Sequence, residues 1–133
     1  MRIGAAARVS GVPAKTIRYY ESIGLIPKAE RGDNAYRNYD EDDVAVLRFI
    51  QRARRFDFSI ADVAELLSLW RDEERSAAQV RDIALAHLDA LRAKRKELEA
   101  MERTIQDLVD RCHGGDRPDC PILADLDPAE DSP

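Results

Sequence analysis

The amino-acid sequence predicts a mainly α-helical protein, and three observations lead to that fold class. Apolar residues follow a helical repeat from about Ser76 to Arg111, with no Gly or Pro to interrupt it. Two shorter helical segments near the N-terminus are separated by a Gly-Val-Pro turn. Two Cys residues lie just beyond the long repeat. The chain is therefore expected to contain a helical N-terminal domain, a long helix, and a terminal loop with a short helix.

The long repeat is predicted to be a dimerisation helix. About 36 residues at a rise of roughly 1.5 Å each make a rod of about 54 Å. Most of its apolar residues fit one seam of a coiled coil, namely Ala84, Leu91, Leu98 and Ile105, with Met101 and Leu108 between them. A chain this small cannot bury such a stripe, so a second copy is the expected partner. The pattern leaves parallel and antiparallel pairing open, and a monomeric helical bundle is the alternative.

The N-terminal segments have a helix-turn-helix layout. Residues 3–9 form an Ala-rich helix candidate, and Pro13 suits the first turn of a second helix over residues 14–23. One face of that second helix is apolar, through Ile17 and Tyr20. The opposite face is basic, aromatic and hydroxylic, which suits the major groove of DNA, and it carries Lys15, Arg18, Tyr19 and Ser22. These four residues fit an ordinary solvated helix face equally well.

A hairpin is predicted after the second helix. The Gly-Asp-Asn sequence at residues 32–34 favours a turn, and its flanks can pair as short strands. The tip would carry Arg31, Tyr36 and Arg37. A hairpin in this position is a wing, which lies along a DNA backbone.

Two more helices are predicted before the long one. Asp40 is expected to cap a helix from Glu41 to about Phe56. Ser59 and Asp62 resemble a capping box at the start of another helix, which runs through Leu69. The first of them ends in cations that suit either the helix dipole or phosphate, namely Arg48, Arg52, Arg54 and Arg55. Its inward residues are predicted to be Val44, Leu47, Phe49 and Ile50. The predicted buried side of the second is Val63, Leu66, Leu67 and Trp70.

Composition and charge exclude several classes of protein. The 133 residues are 44% hydrophobic and 35% charged, and no apolar run reaches the ~18 residues of a membrane helix. Residues 1–60 contain 11 basic and 8 acidic residues, net +3, whereas residues 61–133 contain 10 and 18, net −8. A basic front half is compatible with nucleic acid despite the net charge of −5. The sequence contains no catalytic Ser/His/Asp set and no phosphate loop, so nothing in it indicates an enzyme. No signal sequence precedes the helices, so we expect a cytoplasmic protein.

Several motifs resemble those of one known family. AKTIRYYE at residues 14–21, GLI at 24–26 and NAYRNY at 34–39 are similar to the winged helix-turn-helix DNA-binding domain of the MerR family of transcription regulators. The resemblance continues through Ser59-Ile60, the long helix and the cysteine segment. It implies an antiparallel coiled-coil dimer that distorts a palindromic operator so that RNA polymerase can read the promoter.

The resemblance also implies which residues contact DNA. Carried over by position, they are Lys15, Arg18, Tyr19, Tyr20, Arg31, Tyr36, Arg37 and Arg54. One departure is Ala35, where the family often has Gly; Ala35 would be strained if the turn needs a positive φ.

The two cysteines are candidate ligands of a soft metal ion. Cys112 lies seven residues after Ile105, and two Gly residues follow it. Pro121 is expected to start a short helix whose N-terminus lowers the pKa of Cys120; its inward residues would be Ile122, Leu123 and Leu126. Two thiolates without an obvious third ligand suit Cu(I), with Ag(I) and Au(I) as mimics, whereas Zn(II) requires four ligands. A redox pair and two inert thiols are the alternatives for a bare Cys-x7-Cys.

The resemblance narrows the choice of metal. The cysteine segment is similar to the metal loop of the copper-responsive members, the CueR/HmrR type. In this family the superoxide sensors have four cysteines, and the zinc, lead and mercury sensors have an additional Cys near position 77, where this chain has Ser76 and Ala77. The resemblance therefore implies Cu(I) held by Cys112 and Cys120. His113 is a further candidate ligand.

These inferences define the expected protein. It is a cytoplasmic, homodimeric, Cu(I)-responsive activator of copper-homeostasis promoters, with double-stranded promoter DNA and RNA polymerase as partners and no enzymatic activity. The alternatives are a thiol redox regulator that forms a Cys112–Cys120 disulfide, a sensor of Zn(II) or Hg(II), and an architectural DNA-binding protein that responds to no ion. The expected segments are a DNA-binding domain at 1–70, a dimerisation helix at 71–111, a metal loop with a short helix at 112–126, and a disordered tail at 127–133.

Overall fold

The fold is mainly α-helical, as predicted. The computed structural model describes residues 1–31, 37–116 and 118–131, and at residues 30, 31, 37, 130 and 131 it describes the backbone alone. The elements in these ranges are α1 (Ile3–Ser10), α2 (Ala14–Ser22), β1 (Glu30–Arg31), β2 (Arg37–Asn38), α3 (Glu41–Arg55), α4 (Ile60–Arg71), α5 (Ala77–Arg111), α6 (Pro121–Leu126) and a 3-10 turn (Pro128–Asp131). They belong to two compact units, Met1–Ala84 and Leu85–Pro133. None of the helices in these ranges is long and apolar enough to span a membrane.

The first unit is built around one apolar core. Helix α1 packs against α2 and α3, and α3 packs against α4. The largest fully buried side chains come from α2, α3 and α4, namely Ile17, Leu47, Ile50 and Val63. The predicted inward face of α3 is confirmed, because Val44 is buried as well and Phe49 packs partly buried against the core.

The predicted helix starts of α3 and α4 are confirmed at their caps. The Asp40 carboxylate accepts from the N–H of Asp43 at 2.8 Å, and the Asp43 carboxylate accepts from the N–H of Asp40 at 2.9 Å. These reciprocal bonds satisfy two backbone donors that the helix itself cannot pair. At α4 the Ser59 hydroxyl accepts from the N–H of Asp62 at 3.1 Å.

The hairpin predicted after α2 is present in its two strands. β1 and β2 pair antiparallel, with Glu30 opposite Asn38 and Arg31 opposite Arg37. The predicted tip residue Tyr36 and the departure at Ala35 lie outside the described residues.

The long helix is confirmed as a single element of 35 residues. Its predicted seam is exposed in the single chain, with Leu98 51%, Met101 59% and Ile105 52% exposed. Leu108 was also placed on the seam, but it is only 3% exposed because the chain's own residues cover it. Leu108 therefore does not belong to the exposed apolar surface of α5, although its neighbour Val109 is 48% exposed.

Trp70 does not lie in the core, so this prediction was wrong. It is 41% exposed, and Leu69 takes the buried position at 8%. The Trp70 ring stacks on Phe49 with centroids 4.6 Å apart and planes 12° from parallel, while the Arg71 guanidinium lies 5.6 Å from the Trp70 ring centroid. These two contacts leave much of the ring accessible at the end of α4.

The C-terminal segment also differs from its prediction. Helix α6 starts at Pro121, as expected, but Leu123 and Leu126 are 66% and 68% exposed and do not face inward. Because α6 has six residues and fewer than two turns, only one of its sides can pack against the rest of the second unit. Residues Pro128–Asp131 form the 3-10 turn where the sequence predicts disorder, and residues 132–133 lie outside the described part.

Candidate nucleic-acid interface and metal centre

The solvent side of α2 has the chemistry predicted for contact with DNA. Ile17 and Tyr20 face the core, 0% and 8% exposed, whereas Lys15 and Arg18 are exposed. Neither Lys15 nor Arg18 has a hydrogen bond or ion pair with any residue in the described ranges. Both cations are therefore available to an anionic partner.

The two tyrosines of α2 have different surroundings. Tyr19 is 52% exposed, and its ring centroid lies 6.1 Å from that of Tyr20, with the planes tilted by 50°. Tyr20 is part of the core, so any contact it makes with DNA is limited to a small exposed edge. The Ser22 hydroxyl donates to the backbone oxygen of Tyr19 at 2.6 Å, which uses its proton within the helix.

The arginines of α3 fall into two groups. Arg48 donates through Nε and Nη2 to the backbone oxygen of Val9, at 3.3 and 3.0 Å. Arg54 donates to the backbone oxygen of Phe58, across the turn into α4. Arg52 and Arg55 have no such bond within the described ranges. The cluster that the sequence left ambiguous thus includes two structural arginines, and Arg54, predicted to contact DNA, is one of them.

A buried carboxylate links α2 to the base of the hairpin. Glu21 is 4% exposed. Its Oε2 accepts from the N–H of Ala29 at 2.8 Å, and its Oε1 accepts from the Tyr39 hydroxyl at 3.1 Å. The sequence analysis assigned Glu21 no role, although it lies four residues after Ile17 on the buried stripe of α2. A charged residue within an apolar stripe is the signal that indicates a buried hydrogen-bond acceptor.

The remaining predicted DNA contacts lie on the hairpin. Arg31 and Arg37 face each other across the two strands, at the point where the chain enters and leaves the tip. Tyr36 lies outside the described residues. Among the described residues, Glu21 thus ties α2 to the segments that lead into and out of the hairpin, at Ala29 and Tyr39.

In the second unit the structure brings the two cysteines together. Cys112 follows the last residue of α5, and its N–H donates to the backbone oxygen of Leu108 at 3.1 Å. Cys120 is the N-cap residue of α6. Both side chains are half-buried, and their sulfur atoms lie 3.9 Å apart. After His113, the loop between them continues with Gly114 and Gly115 at φ of 71° and 92°, a conformation that favours glycine and lets the chain leave α5.

The start of α6 lowers the pKa of the Cys120 thiol. The N–H of Leu123 contributes most, and the N–H of Ile122 and the thiol of Cys112 act in the same direction, while partial burial opposes them. Backbone donors stabilise a thiolate more than a thiol, so the effect favours the form that binds metals. The lowered pKa predicted for this position agrees with the arrangement.

A third ligand is absent from the described part of the chain. Among residues 1–31, 37–116 and 118–131, no group of three His, Cys, Asp or Glu side chains is placed to hold a metal ion. His113 is exposed and does not complete such a group with its neighbour Cys112. The two sulfur atoms therefore lie close together without a third such side chain among the described residues.

Comparison with known families identifies the chain. The family model described as "MerR HTH family regulatory protein" matches residues 1–70, and the model described as "MerR, DNA binding" matches residues 44–108. The chain belongs to the MerR family. Members of this family regulate transcription, and this MerR protein is a regulator and not an enzyme, as the sequence analysis predicted.

Named relatives cover almost the whole MerR chain. It is 52% identical to the HTH-type transcriptional regulator HmrR of Rhizobium leguminosarum bv. viciae, over 95% of this chain and 97% of that protein. It is 32% identical to the HTH-type transcriptional regulator CueR of Escherichia coli O6:H1 (strain CFT073), over 95% of this chain and 93% of that one. The resemblance to regulators of the CueR/HmrR type is confirmed.

A solved structure shows the same fold. The transcription regulator PbrR691 from Ralstonia metallidurans CH34, solved in complex with lead(II), matches this MerR chain with a TM-score of 0.79 and 35% sequence identity. The match covers 96% of this chain and 99% of the other. The helix-turn-helix fold and the long helix thus occur together in a metal-binding relative.

Proposed function

We propose that this MerR protein is a homodimeric regulator that binds promoter DNA and activates copper-homeostasis genes when Cys112 and Cys120 bind Cu(I). The observation that carries the proposal is the pair of sulfur atoms 3.9 Å apart, without a third metal-binding side chain among the described residues. In this proposal residues 1–70 bind DNA, residues 71–111 form the dimer and residues 112–126 bind the ion. Such a regulator works in the cytoplasm, with RNA polymerase as its partner on the promoter.

The exposed cations of α2 support the DNA-binding part. Lys15 and Arg18 lie beside an exposed Tyr19 on a helix whose other face is fixed in the core. Recognition helices of this class place such a face in the major groove, where cations contact phosphates and base edges. The strands that carry Arg31 and Arg37 would set the hairpin along the neighbouring backbone. Arg54, which donates to Phe58, contributes a weaker contact or none.

The number of donors supports a soft monovalent ion. Thiolates prefer soft ions such as Cu(I), and two of them satisfy an ion that accepts linear coordination. With metal–sulfur bonds of roughly 2.3 Å, the length known for zinc, a linear unit separates the sulfurs by about 4.6 Å. The sulfurs would therefore move apart by about 0.7 Å from 3.9 Å, within reach of a loop that contains two adjacent glycines.

A sensor of a divalent ion is the second candidate. The relative PbrR691 was solved with lead(II). Three metal–sulfur bonds of the zinc length, roughly 2.3 Å, lying in one plane would place the sulfurs about 4.0 Å apart. This is near the observed 3.9 Å. Hg(II) would then need a third ligand from the partner subunit, and Zn(II) would need a fourth as well. Position 77, where the resemblance places that ligand, is Ala in this chain. The missing donor outweighs the agreement in distance.

A thiol redox sensor is the third candidate. The sulfur atoms would have to close from 3.9 Å to the roughly 2.05 Å of a disulfide, and both cysteines are free in this structure. Metal binding needs a smaller displacement, which favours Cu(I). Binding of Cu(I) measured under strictly reducing conditions separates a metal sensor from a redox sensor, because a redox sensor responds to no ion under those conditions.

X-ray absorption on the Cu(I) complex of the full chain tests the coordination. We expect two sulfur ligands and no nitrogen. A first shell with three or more ligands, or with nitrogen from His113, would refute the two-thiolate site. Ala77→Cys is the matched variant: it should add a third sulfur from the partner subunit and allow binding of Hg(II) or Zn(II).

Transcription in vitro tests the response. Cys112→Ser and Cys120→Ser should each abolish activation by Cu(I), because one sulfur and a weak hydroxyl cannot hold the ion, while both variants should still bind promoter DNA. His113→Ala is the control and should respond as the wild type does. Activation that persists in either Ser variant would contradict the assignment of the ligands.

A further inference from the structure

We propose that Arg48 and Gln51 of α3 are positioning residues for operator recognition, and that they act by fixing the turn between α1 and α2. The proposal rests on the proposed function, in which α2 lies in the major groove. Neither side chain needs to contact DNA for this role. Both act through the backbone that precedes the recognition helix.

Arg48 occupies a carbonyl group that the helix itself cannot pair. In a continuing helix the oxygen of Val9 would accept from the N–H of residue 13, but residue 13 is Pro and has no N–H. Instead Arg48 donates two bonds to this oxygen, at 3.3 Å from Nε and 3.0 Å from Nη2. The end of α1 is therefore attached to α3 by a charged group.

Gln51 holds the next part of the same turn. Its Nε2 donates to the backbone oxygen of Gly11 at 2.9 Å. Gly11 has a φ of 78°, and a Cβ atom there would lie 3.0 Å from Nε2 and 3.1 Å from Oε1 of Gln51. The side chain of Gln51 thus lies directly against a residue whose positive φ favours glycine and where a Cβ atom would be tightly packed.

The position of the turn decides the orientation of α2. Only Val12 and Pro13 separate Gly11 from the start of α2 at Ala14, so a change in the backbone at Gly11 would displace the first turn of the recognition helix. α3 is itself immobilised, because Leu47 and Ile50 are fully buried in the core. Arg48 and Gln51, each the next residue after one of these, extend that rigidity to the turn.

Salt dependence distinguishes a positioning residue from one that contacts phosphate. Each phosphate contact contributes roughly 0.9 to the slope of log affinity against log salt concentration. Loss of a positioning bond leaves that slope unchanged, but it lowers the fraction of molecules whose α2 is correctly placed and hence the apparent affinity for the operator. Non-specific binding depends on phosphate contacts and should change little.

The experiment compares variants of the full chain on two DNA duplexes. One is a duplex that the wild-type dimer selects from a random-sequence library, and the other is its scrambled counterpart. The test variants are Gln51→Ala and Arg48→Ala. Arg18→Ala serves as the comparison for a phosphate or base contact, and Val63→Ala, which removes buried volume from α4 far along the chain from the turn, as the control for general destabilisation.

We expect Gln51→Ala to bind the selected duplex about fivefold more weakly, because it loses one neutral hydrogen bond. Arg48→Ala should bind about tenfold more weakly, because it loses a pair of charge-assisted bonds to one oxygen. Binding of the scrambled duplex should stay within about twofold, and the salt slope should stay at the wild-type value. Val63→Ala should lower thermal stability without changing the preference between the duplexes.

Two results would overturn the positioning role. A salt slope reduced by roughly 0.9 in Arg48→Ala would make Arg48 a phosphate contact. Unchanged discrimination in both variants, with a wild type that does select a sequence, would show that the turn holds its position without them. A wild-type chain that selects no sequence would instead refute the proposed function, and the positioning role with it.

Discussion

At the scale of single residues, the tertiary contacts decide which basic side chains remain available to DNA. Arg18 and Arg48 are both exposed arginines of the first unit, and the sequence alone makes both candidates for phosphate. Arg48 is bound to Val9, whereas Arg18 has no partner in the described ranges. The apolar and basic faces of α2 could be predicted from periodicity. The partner of Arg48 could not, because it lies 39 positions away in the sequence.

The lowered pKa of Cys120 can be measured by alkylation. The rate at which iodoacetamide modifies Cys120 follows the thiolate fraction, so its midpoint should lie at a pH below the ordinary value of 9.0 in the folded, metal-free chain. Mass spectrometry of the Cys120 peptide gives the rate at each pH. The N–H groups of Leu123 and Ile122 act only when α6 is formed, so the midpoint should return to its ordinary value in urea.

The lowered pKa of Cys120 also makes the stability of the folded chain depend on pH. A depressed pKa stabilises the folded state above the pKa of the unfolded thiol, and this contribution disappears as the pH falls through the folded value. Cys120→Ser should therefore remove the contribution of Cys120 to the pH dependence of the free energy of unfolding in the alkaline range. Equal midpoints for folded and urea-treated chains would contradict the role of α6.

At the scale of helices and strands, the ends that depend on local sequence were predictable. Asp40 and Ser59 are short polar residues directly before apolar repeats, and both cap as expected. Trp70 and Leu123 were misplaced, because which side of a helix is buried at its last turn depends on the neighbouring element. The glycines between Cys112 and Cys120 predict that the two residues come close together. The distance of 3.9 Å between their sulfur atoms could be obtained only from the structure.

A pair of serine substitutions in α4 tests the cap. Ser59→Ala should lower the free energy of unfolding by about 1 kcal/mol, because the N–H of Asp62 loses its acceptor. Ser68→Ala lies on the exposed side of the same helix and should be neutral or slightly stabilising, since Ala has the higher helix propensity. Urea denaturation at one protein concentration measures both. Equal effects from the two substitutions would mean that the cap contributes nothing.

At the scale of the whole molecule, the apolar residues of α5 form a stripe that remains exposed to solvent in the single chain. Leu91, Leu98 and Ile105 lie seven residues apart and are 37%, 51% and 52% exposed, with Met101 beside them. Their spacing is that of a coiled coil, and a stripe of this length on a single helix finds no cover within the described part of its own chain. A second copy supplies the same stripe, which is why we propose a homodimer.

Leu98→Glu tests that dimer. It places one carboxylate on the seam of each helix, and burying two unpaired charges costs on the order of several kcal/mol, which is comparable to the stability of a small domain. The variant should sediment as a monomer or unfold, and should lose operator binding with the second α2. Ala100→Glu adds the same charge two residues further on, at an exposed position off the seam, and should remain a dimer. A folded dimer of Leu98→Glu, measured by sedimentation equilibrium and circular dichroism, would place the interface on another face of α5.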